Sequence, residues 1–201
     1  MNRLWQAILS DWQRLPRRMK IVRSLNVIGL VVIITLFAVH KDRFRAMLNP
    51  RGKEIVGQPA PDFSEGVWFN SRPLSLEGLR GQVIVVDFWT FKCRNCLNIL
   101  PALSEWHRKF KGRGVVIVGV HSPETDEEAD TQALRRFLAD THIEFPVLTD
   151  NGFTMWNRYR AQFWPSTYIV DGNGIVQRFH YGELGFSSLE EDIVKLIPYV
   201  R

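Results

Sequence analysis

The amino-acid sequence predicts an α/β fold in which helices flank a central mixed sheet, and three patterns support this prediction. Val83–Trp89 is a continuous run of β-branched and aromatic residues, as expected for a strand that is buried on both faces. Apolar residues recur every three or four positions over residues 94–111, which predicts an amphipathic helix leading to a second, parallel strand at residues 115–120. Residues 167–170 and 175–180 are joined by an Asp-Gly-Asn-Gly turn and predict an antiparallel hairpin.

Shorter patterns predict the other elements. They are a hairpin of residues 67–69 with residues 73–74 around Asn70 and Ser71, a helical turn at residues 76–79, a strand at residues 145–149 and a short helix at residues 153–159.

Two capping-box patterns predict where helices begin. Thr125-x-x-Glu128 opens a helix that is expected to run to about Asp140, and Ser188-x-x-Glu191 opens the last helix. We expect the acidic run of residues 124–130 to be solvated and to favour the N-terminus of its helix.

The net charge of +5 arises in the N-terminal quarter of the 201-residue chain. Residues 1–53 hold 11 Lys and Arg against 2 Asp and Glu, whereas the remainder holds 15 against 19 and is mildly acidic. The globular part therefore lacks the basic surface that nucleic-acid binding requires, and we expect no nucleic-acid partner. The length suits one domain with a proper core and appendages.

Residues 21–39 form an apolar run between basic clusters, and they predict a single transmembrane anchor. Nineteen helical residues span roughly 28 Å, and Arg23 near one end can reach the interface. A cleaved signal peptide is disfavoured because a long stretch precedes the run and no small-x-small cleavage site follows it. A buried core helix is disfavoured by the basic residues on both sides.

The anchor divides the chain into four predicted segments. Residues 1–20 are a basic amphipathic segment, either an interfacial helix on the membrane surface or a frayed tail. Residues 40–53 are a linker, and residues 54–201 are the globular domain. The modest excess of Lys and Arg before the anchor favours a cytoplasmic N-terminus and an exported domain.

Cys93 and Cys96 are the only cysteines of the chain, and they lie where the central strand meets the helix that follows it. The backbone N–H groups and the dipole of a helix N-terminus favour the thiolate, and Lys92 and Arg94 add positive charge beside Cys93. We therefore expect a lowered pKa for Cys93, which would be the nucleophile, while Cys96 would resolve the mixed disulfide.

Two other uses of the cysteine pair are weaker. A zinc site needs about four ligands, and the chain has no second cysteine pair. A structural disulfide that closes only two intervening residues gains little loop entropy.

The segment VDFWTFKCRNCLNILP resembles the active site of the thioredoxin superfamily, and within it the TlpA-like, membrane-anchored bacterial thiol–disulfide oxidoreductases of the peroxiredoxin-related branch. The resemblance extends from Glu54 to the C-terminus and implies a thioredoxin-like fold. Asp87, six residues before Cys93, matches the buried acid that assists proton transfer to and from the second cysteine. A structural role for Asp87 is the alternative, although an isolated charge on an apolar strand is costly.

The resemblance also implies where a partner binds. Trp164 and Pro165 match a loop with a cis-proline, which would leave backbone groups free to pair with an extended segment of the partner. Trp89, Trp164 and Ser166 are expected to line that surface. His121, at the end of the second strand, either lies near the cysteines or only bonds a loop.

These observations predict a thiol–disulfide oxidoreductase that acts on protein thiols and disulfides together with a redox partner protein. The resemblance implies no cofactor and no metal, and it places the domain on the periplasmic side of a bacterial inner membrane. One alternative is a thiol peroxidase, since Thr90-x-x-Cys93 matches part of the peroxiredoxin motif, although Val86 replaces its proline. The other is a non-catalytic, membrane-tethered binding or scaffold domain.

Overall fold

The computed structural model describes residues 48–197 continuously and, before them, only Pro16 and residues 29, 30, 32, 33, 35 and 36. Nearly all of the predicted segments 1–20 and 21–39 and much of the linker 40–53 therefore lie outside the described residues. Within the part that is described, no helix is both long and apolar enough to cross a membrane. Leu30, Val32, Ile33 and Leu36 are helical, and their side chains are exposed.

The domain is built on one six-stranded mixed sheet. Its strands are β1 (Trp68–Phe69), β2 (Val83–Trp89), β3 (Val115–His121), β4 (Val147–Thr149), β5 (Ser166–Val170) and β6 (Val176–Tyr181), in the order β1-β4-β3-β2-β5-β6. The strands β2, β3 and β4 run parallel, and β5, β6 and β1 pair antiparallel with their neighbours. The predicted mixed sheet of a thioredoxin-like α/β fold is confirmed.

Five α-helices accompany the sheet within residues 49–197. They are α1 (Arg94–Phe110), α2 (Asp126–Ala129), α3 (Thr131–Asp140), α4 (Thr154–Arg158) and α5 (Leu189–Leu196). Short 3₁₀ turns lie at Arg51–Ile55 and Phe186–Ser188.

Strand β2 lies at the centre of the core, and all seven of its residues are buried. Side chains alternate between the two faces of a strand, so the two faces of β2 belong to different clusters. Val83, Val85 and Trp89 pack with residues of α1, α3 and α5, whereas Ile84 and Phe88 pack with residues of α4. This burial on both sides explains the continuous apolar run in the sequence.

The predicted hairpin of residues 67–69 with residues 73–74 is wrong. Trp68 and Phe69 instead pair antiparallel with Leu148 and Val147 of β4. The Asn70 side chain explains the difference, because its amide donates to the carbonyl of Phe145 at 3.0 Å and thereby fastens the turn to the segment before β4.

The single helix predicted to run to Asp140 is divided into α2 and α3. Thr125 and Glu128 form the predicted capping box of α2. Asp130 then adopts an extended backbone and accepts hydrogen bonds from the N–H groups of residues 132 and 133, so it begins a new helix. The other predicted cap, Ser188, makes no side-chain capping bond.

The compact unit that contains the sheet begins at Asn49, earlier than the predicted boundary at residue 54. Gly52 is buried against the rings of Phe179 and Tyr168, where a Cβ atom would lie within 2.6 Å of atoms of both. The last residues of the predicted linker are therefore part of the domain.

Candidate active site

Cys93 and Cys96 are joined by a disulfide at the N-terminus of α1, with their Cα atoms 5.2 Å apart. Cys93 is the N-cap residue, and its sulfur accepts a hydrogen bond from the N–H of Cys96 at 3.2 Å. Cys93 is partly exposed, whereas Cys96 is fully buried. A partner sulfur can therefore reach Cys93 more easily than Cys96.

The two cations predicted to favour the Cys93 thiolate both flank the disulfide in exposed positions. The Lys92 ammonium pairs with Glu127, and the Arg94 side chain is open to solvent at the first position of α1. Exposed charges of this kind interact weakly because water screens them. The helix N-terminus is therefore the larger influence on Cys93.

Asp87 lies on the face of β2 that also carries Val85 and Trp89, and Cys96 packs against that same face. Its carboxyl is completely buried, and burial raises its pKa to about 8, although the hydrogen bond from Thr167 acts in the opposite direction. Oδ1 accepts that bond at 2.6 Å, and Oδ2 has no partner among the described residues. A carboxyl in this state is mostly protonated at neutral pH, and its ionised fraction can accept a proton.

The predicted cis-proline is present, because the Trp164–Pro165 peptide bond is cis. Ser166 pairs with Phe88 across the sheet, so Pro165 lies beside the end of β2, from which the active-site loop departs. Trp164 is half-buried and donates from Nε1 to the carbonyl of Ser122 at 3.0 Å. The structure thus brings the proline loop and the cysteine loop to the same end of the sheet.

Two of the residues expected to line the docking surface face elsewhere. Trp89 is completely buried, and its ring packs against His121 and Phe137 at centroid distances of 5.3 and 5.8 Å, so the prediction for Trp89 is wrong. The cause is α3, which covers this end of β2 and which the local sequence cannot reveal. Ser166 is also buried, and its hydroxyl bonds the carbonyl of Phe163 at 2.7 Å.

His121 lies close to the active-site loop, and it is buried. Its ring stacks on Phe91 at 5.4 Å, and its Nε2 lies 3.3 Å from the hydroxyl oxygen of Thr90. Burial lowers the pKa of His121 to about 4, although the nearby Glu128 acts in the opposite direction. The imidazole is therefore neutral under ordinary conditions.

Sequence reasoning missed two residues of the site, Thr167 and Glu128. Thr167 follows the cis-proline loop, but only the pairing of β5 with β2 reveals that it bonds Asp87. Glu128 was expected in a solvated acidic run, yet it is only 1% exposed and bonds the active-site loop. Its capping-box pattern was visible in the sequence, but its contacts with residues 36 and 38 positions away were not.

Comparison with known proteins agrees with this geometry. The AhpC/TSA family matches residues 56–179. The protein DipZ of Mycobacterium tuberculosis is 32% identical over 143 residues, which are 69% of this chain and 20% of DipZ. The thiol-disulfide oxidoreductase ResA of Bacillus thuringiensis is 25% identical over 169 residues, which cover 84% of this chain and 94% of ResA. The chain thus spans about a fifth of the length of DipZ but nearly all of ResA.

Solved structures show the same likeness. A thiol-disulfide isomerase from Corynebacterium glutamicum superimposes with a TM-score of 0.62 at 28% identity, over 70% of this chain and 98% of that one. A thioredoxin-like superfamily protein gives a TM-score of 0.64 at 28% identity, over 71% and 97% of the two chains. The family match covers more than half of the chain, and the fold and the cysteine pair agree with it. The chain therefore belongs to the AhpC/TSA family, as a TlpA-like member of the thioredoxin superfamily.

Proposed function

We propose that this domain is a thiol–disulfide oxidoreductase that exchanges electron pairs with disulfides of other proteins. The observation that carries the proposal is the Cys93–Cys96 disulfide, which has one partly exposed sulfur at a helix N-terminus and one buried sulfur packed on the strand face that carries Asp87. The names of the relatives ResA and the thiol-disulfide isomerase support the same reaction class.

In the reducing direction, the reaction begins with the Cys93 thiolate. It attacks one sulfur of the partner disulfide, forms a mixed disulfide and releases the other partner sulfur as a thiolate, which takes up a proton. Cys96 then loses its proton and attacks Cys93, which breaks the mixed disulfide and frees the second partner sulfur. The partner gains two electrons and two protons, and the Cys93–Cys96 disulfide of the structure is the product. The oxidising direction is the same sequence reversed.

Asp87 is the group that moves the proton at Cys96. A buried thiol is a poor nucleophile until it is deprotonated, and the Asp87 carboxyl lies on the strand face against which Cys96 packs. A carboxyl with a pKa of about 8 is close in pKa to an ordinary thiol, so a proton can pass from the thiol to the carboxyl with little change in free energy. The carboxyl returns the proton when the direction of the reaction reverses. The bond from Thr167 holds one oxygen and leaves Oδ2 for this exchange.

The partner is proposed to bind as an extended segment beside the cis-proline loop. Pro165 lies next to the end of β2, and a chain that runs past it can form backbone hydrogen bonds in the manner of an added strand. Trp164 offers an indole that is partly exposed beside this path. Leu97, 38% exposed in the first turn of α1, adds apolar surface on the side of the disulfide.

We further propose that residues 21–39 anchor the chain in a bacterial inner membrane and that the domain faces the periplasm. The support is the apolar run with its basic flanks, together with the exposed apolar side chains of Leu30, Val32 and Ile33 in helical backbone. An oxidising compartment would also suit a domain whose cysteines form a disulfide. Cysteine-accessibility labelling of the full chain in intact cells and in spheroplasts tests the orientation.

Single replacements of the two cysteines test the reaction. The Cys96→Ser variant should trap mixed disulfides with partner proteins, because nothing resolves them, and gel shifts that reducing agent reverses would show this. The Cys93→Ser variant should trap few or none, since Cys96 is buried. Trapping by Cys93→Ser alone would reverse the roles of the two sulfurs, and trapping by neither would refute the proposal.

A thiol peroxidase is the second candidate, and membership of the AhpC/TSA family is the observation that favours it. A peroxidase site needs a polar group that holds the peroxide beside the reactive sulfur. Thr90, which matches the peroxiredoxin threonine, instead has its hydroxyl buried and bonded to Glu128. Turnover of hydrogen peroxide, measured beside the reduction of insulin disulfides, separates the two activities.

A further inference from the structure

The loop of residues 90–92 connects β2 to Cys93 and therefore decides where the reactive sulfur lies. The Cys93 N–H donates to the carbonyl of Thr90 at 3.3 Å, and the Cys93 carbonyl accepts the first helical hydrogen bond, from Leu97, at 3.0 Å. The position of Cys93 thus depends directly on the position of Thr90.

Glu128 fastens this loop from the opposite side. One carboxylate oxygen accepts the hydroxyl of Thr90 and, at 3.0 Å, the backbone N–H of Lys92. The other oxygen accepts the N–H groups of Glu124 and Thr125 at 3.0 Å each and the Thr125 hydroxyl at 3.2 Å. A single carboxylate therefore joins the active-site loop to the start of α2.

His121 completes a directed chain of hydrogen bonds. Because the Thr90 hydroxyl gives its hydrogen to Glu128, its oxygen can only accept from His121. A neutral imidazole with its proton on Nε2 supplies that donor. The chain therefore runs from His121 through Thr90 to Glu128, and it lies in the buried interior directly behind the cysteine loop.

Helix capping alone does not account for these contacts. A capping box uses the glutamate to bond the N-cap backbone, and the bonds to Glu124 and Thr125 satisfy that need. The remaining oxygen serves only the loop before Cys93. Burying a carboxylate for a helix of four residues would be costly without these loop contacts.

We propose that Glu128 is a positioning residue which, with Thr90 and His121, fixes the loop so that Cys93 meets a partner sulfur in line for attack. This inference rests on the proposed oxidoreductase function. It adds that the rate of exchange depends on a hydrogen-bond chain that never touches the substrate. Misplacement of a reacting group by about 1 Å can cost about 100-fold in rate.

Two matched substitutions at Thr90 test the proposal. In the full chain, Thr90→Val keeps the shape but loses the hydroxyl, whereas Thr90→Ser keeps the hydroxyl. The readout is the second-order rate constant of reduced protein with an aromatic disulfide that releases a coloured thiolate, measured above the pKa of Cys93. Thr90→Val should be slower by about 10-fold or more, and Thr90→Ser should stay within about twofold of the parent.

Glu128→Gln and Asp126→Asn form the second matched pair. Both remove one acidic charge from α2, but Asp126 is exposed and, among the described residues, forms no hydrogen bond or ion pair with the loop. Glutamine has one acceptor oxygen, so it cannot serve the loop and the cap together. Glu128→Gln should therefore lower the rate constant and shift the reduction potential, while Asp126→Asn should leave both unchanged.

The outcomes separate this inference from the proposed function. If the parent protein reacts and Thr90→Val and Glu128→Gln react at its rate, the positioning role is refuted even if both variants melt at lower temperature. If the parent protein neither reacts nor traps partners, the oxidoreductase proposal itself fails. Nitrogen-15 NMR of His121 should show the Nε2-protonated tautomer in the parent, and an Nδ1-protonated ring would also overturn the proposed chain.

Discussion

Asp87 and Thr167 face each other on antiparallel neighbouring strands, and the Thr167 hydroxyl donates to the Asp87 carboxyl at 2.6 Å. Thr167 lies two residues after the cis-proline Pro165, and Asp87 lies on the strand that leads to the cysteines. The bond therefore connects the proposed proton carrier to the strand that presents the partner-binding loop.

The first prediction concerns stability in the oxidised state. Asp87 has a folded pKa of about 8 against an ordinary value of 3.8, so the folded protein keeps a proton that the unfolded chain releases. The free energy of unfolding should therefore fall as pH rises toward 8, by at most about 1.4 kcal/mol per pH unit. The lowered pKa of His121 makes a contribution of opposite sign, and this contribution acts mainly below pH 6.5, the ordinary pKa of histidine. Urea denaturation between pH 6.5 and pH 8 therefore measures mainly the contribution of the Asp87 carboxyl to the free energy of unfolding.

Asp87→Asn is the control for this measurement. Asparagine keeps an acceptor for Thr167 but does not titrate, so the variant should lose most of the slope. Asp150, whose pKa burial also raises, remains in both proteins and cancels in the difference. A variant that retains the full slope would show that Asp87 is already ionised at neutral pH.

The second prediction concerns the rate at which Cys96 resolves a mixed disulfide. Asp87→Asn removes the proton acceptor and should slow this step by about 100-fold near pH 8, where about half of the Asp87 carboxyl is ionised. The deficit should shrink above about pH 9, where hydroxide deprotonates the thiol. Stopped-flow tryptophan fluorescence after mixing reduced protein with an oxidised peptide follows the step. An equal deficit at every pH would indicate a distorted site instead.

The third prediction concerns Gly119, which lies in β3 beneath two aromatic rings. A Cβ atom there would lie 2.7 Å from Nε1 of Trp89 and 2.9 Å from the ring of Phe145. Gly119→Ala should therefore lower the free energy of unfolding by about 1–3 kcal/mol through overpacking. Gly152→Ala, which meets only the Thr154 hydroxyl at 3.8 Å, should be close to neutral. Equal stability of the two variants in chemical denaturation would contradict the packing.

The fourth prediction concerns the residue that separates α2 from α3. Asp130 caps α3 by accepting from the N–H groups of Gln132 and Ala133 at 2.9 and 3.3 Å. Asp130→Ala should destabilise the protein by about 1 kcal/mol, whereas Asp130→Asn, also a good cap, should lose much less. If both variants lost the same stability, the ion pair of Asp130 with Arg136 would be the cause. Thermal melting of the three proteins decides.

Patterns confined to one segment gave reliable predictions. The continuous apolar run of β2 and the helical spacing of α1 each record burial by near neighbours, and both elements have nearly the expected bounds. The Cys93–Cys96 pair and Pro165 were found because their chemistry depends on local spacing and on a short motif.

Predictions failed where a distant residue decides the outcome. Asn70 is predicted to lie in a hairpin turn, but its amide donates to carbonyls more than 70 residues away, and β1 pairs with β4. Trp89 is predicted to line the partner-binding surface, but Phe137 of α3 packs against its ring. Glu128 is predicted to lie in a solvated acidic run, but its carboxylate bonds the Thr90 hydroxyl.

The backbone of Ser122 connects the end of β2, from which the cysteine loop departs, to Trp164 of the proline loop. Its N–H donates to the carbonyl of Trp89 at 3.0 Å, and its own carbonyl accepts from the Trp164 indole. Both contacts use peptide groups, whereas the Ser122 side chain is completely buried and its hydroxyl donates to the Asp150 carboxyl at 3.2 Å. A larger side chain at this position would have to displace packed neighbours, and it would disturb the cysteine loop and the proline loop together.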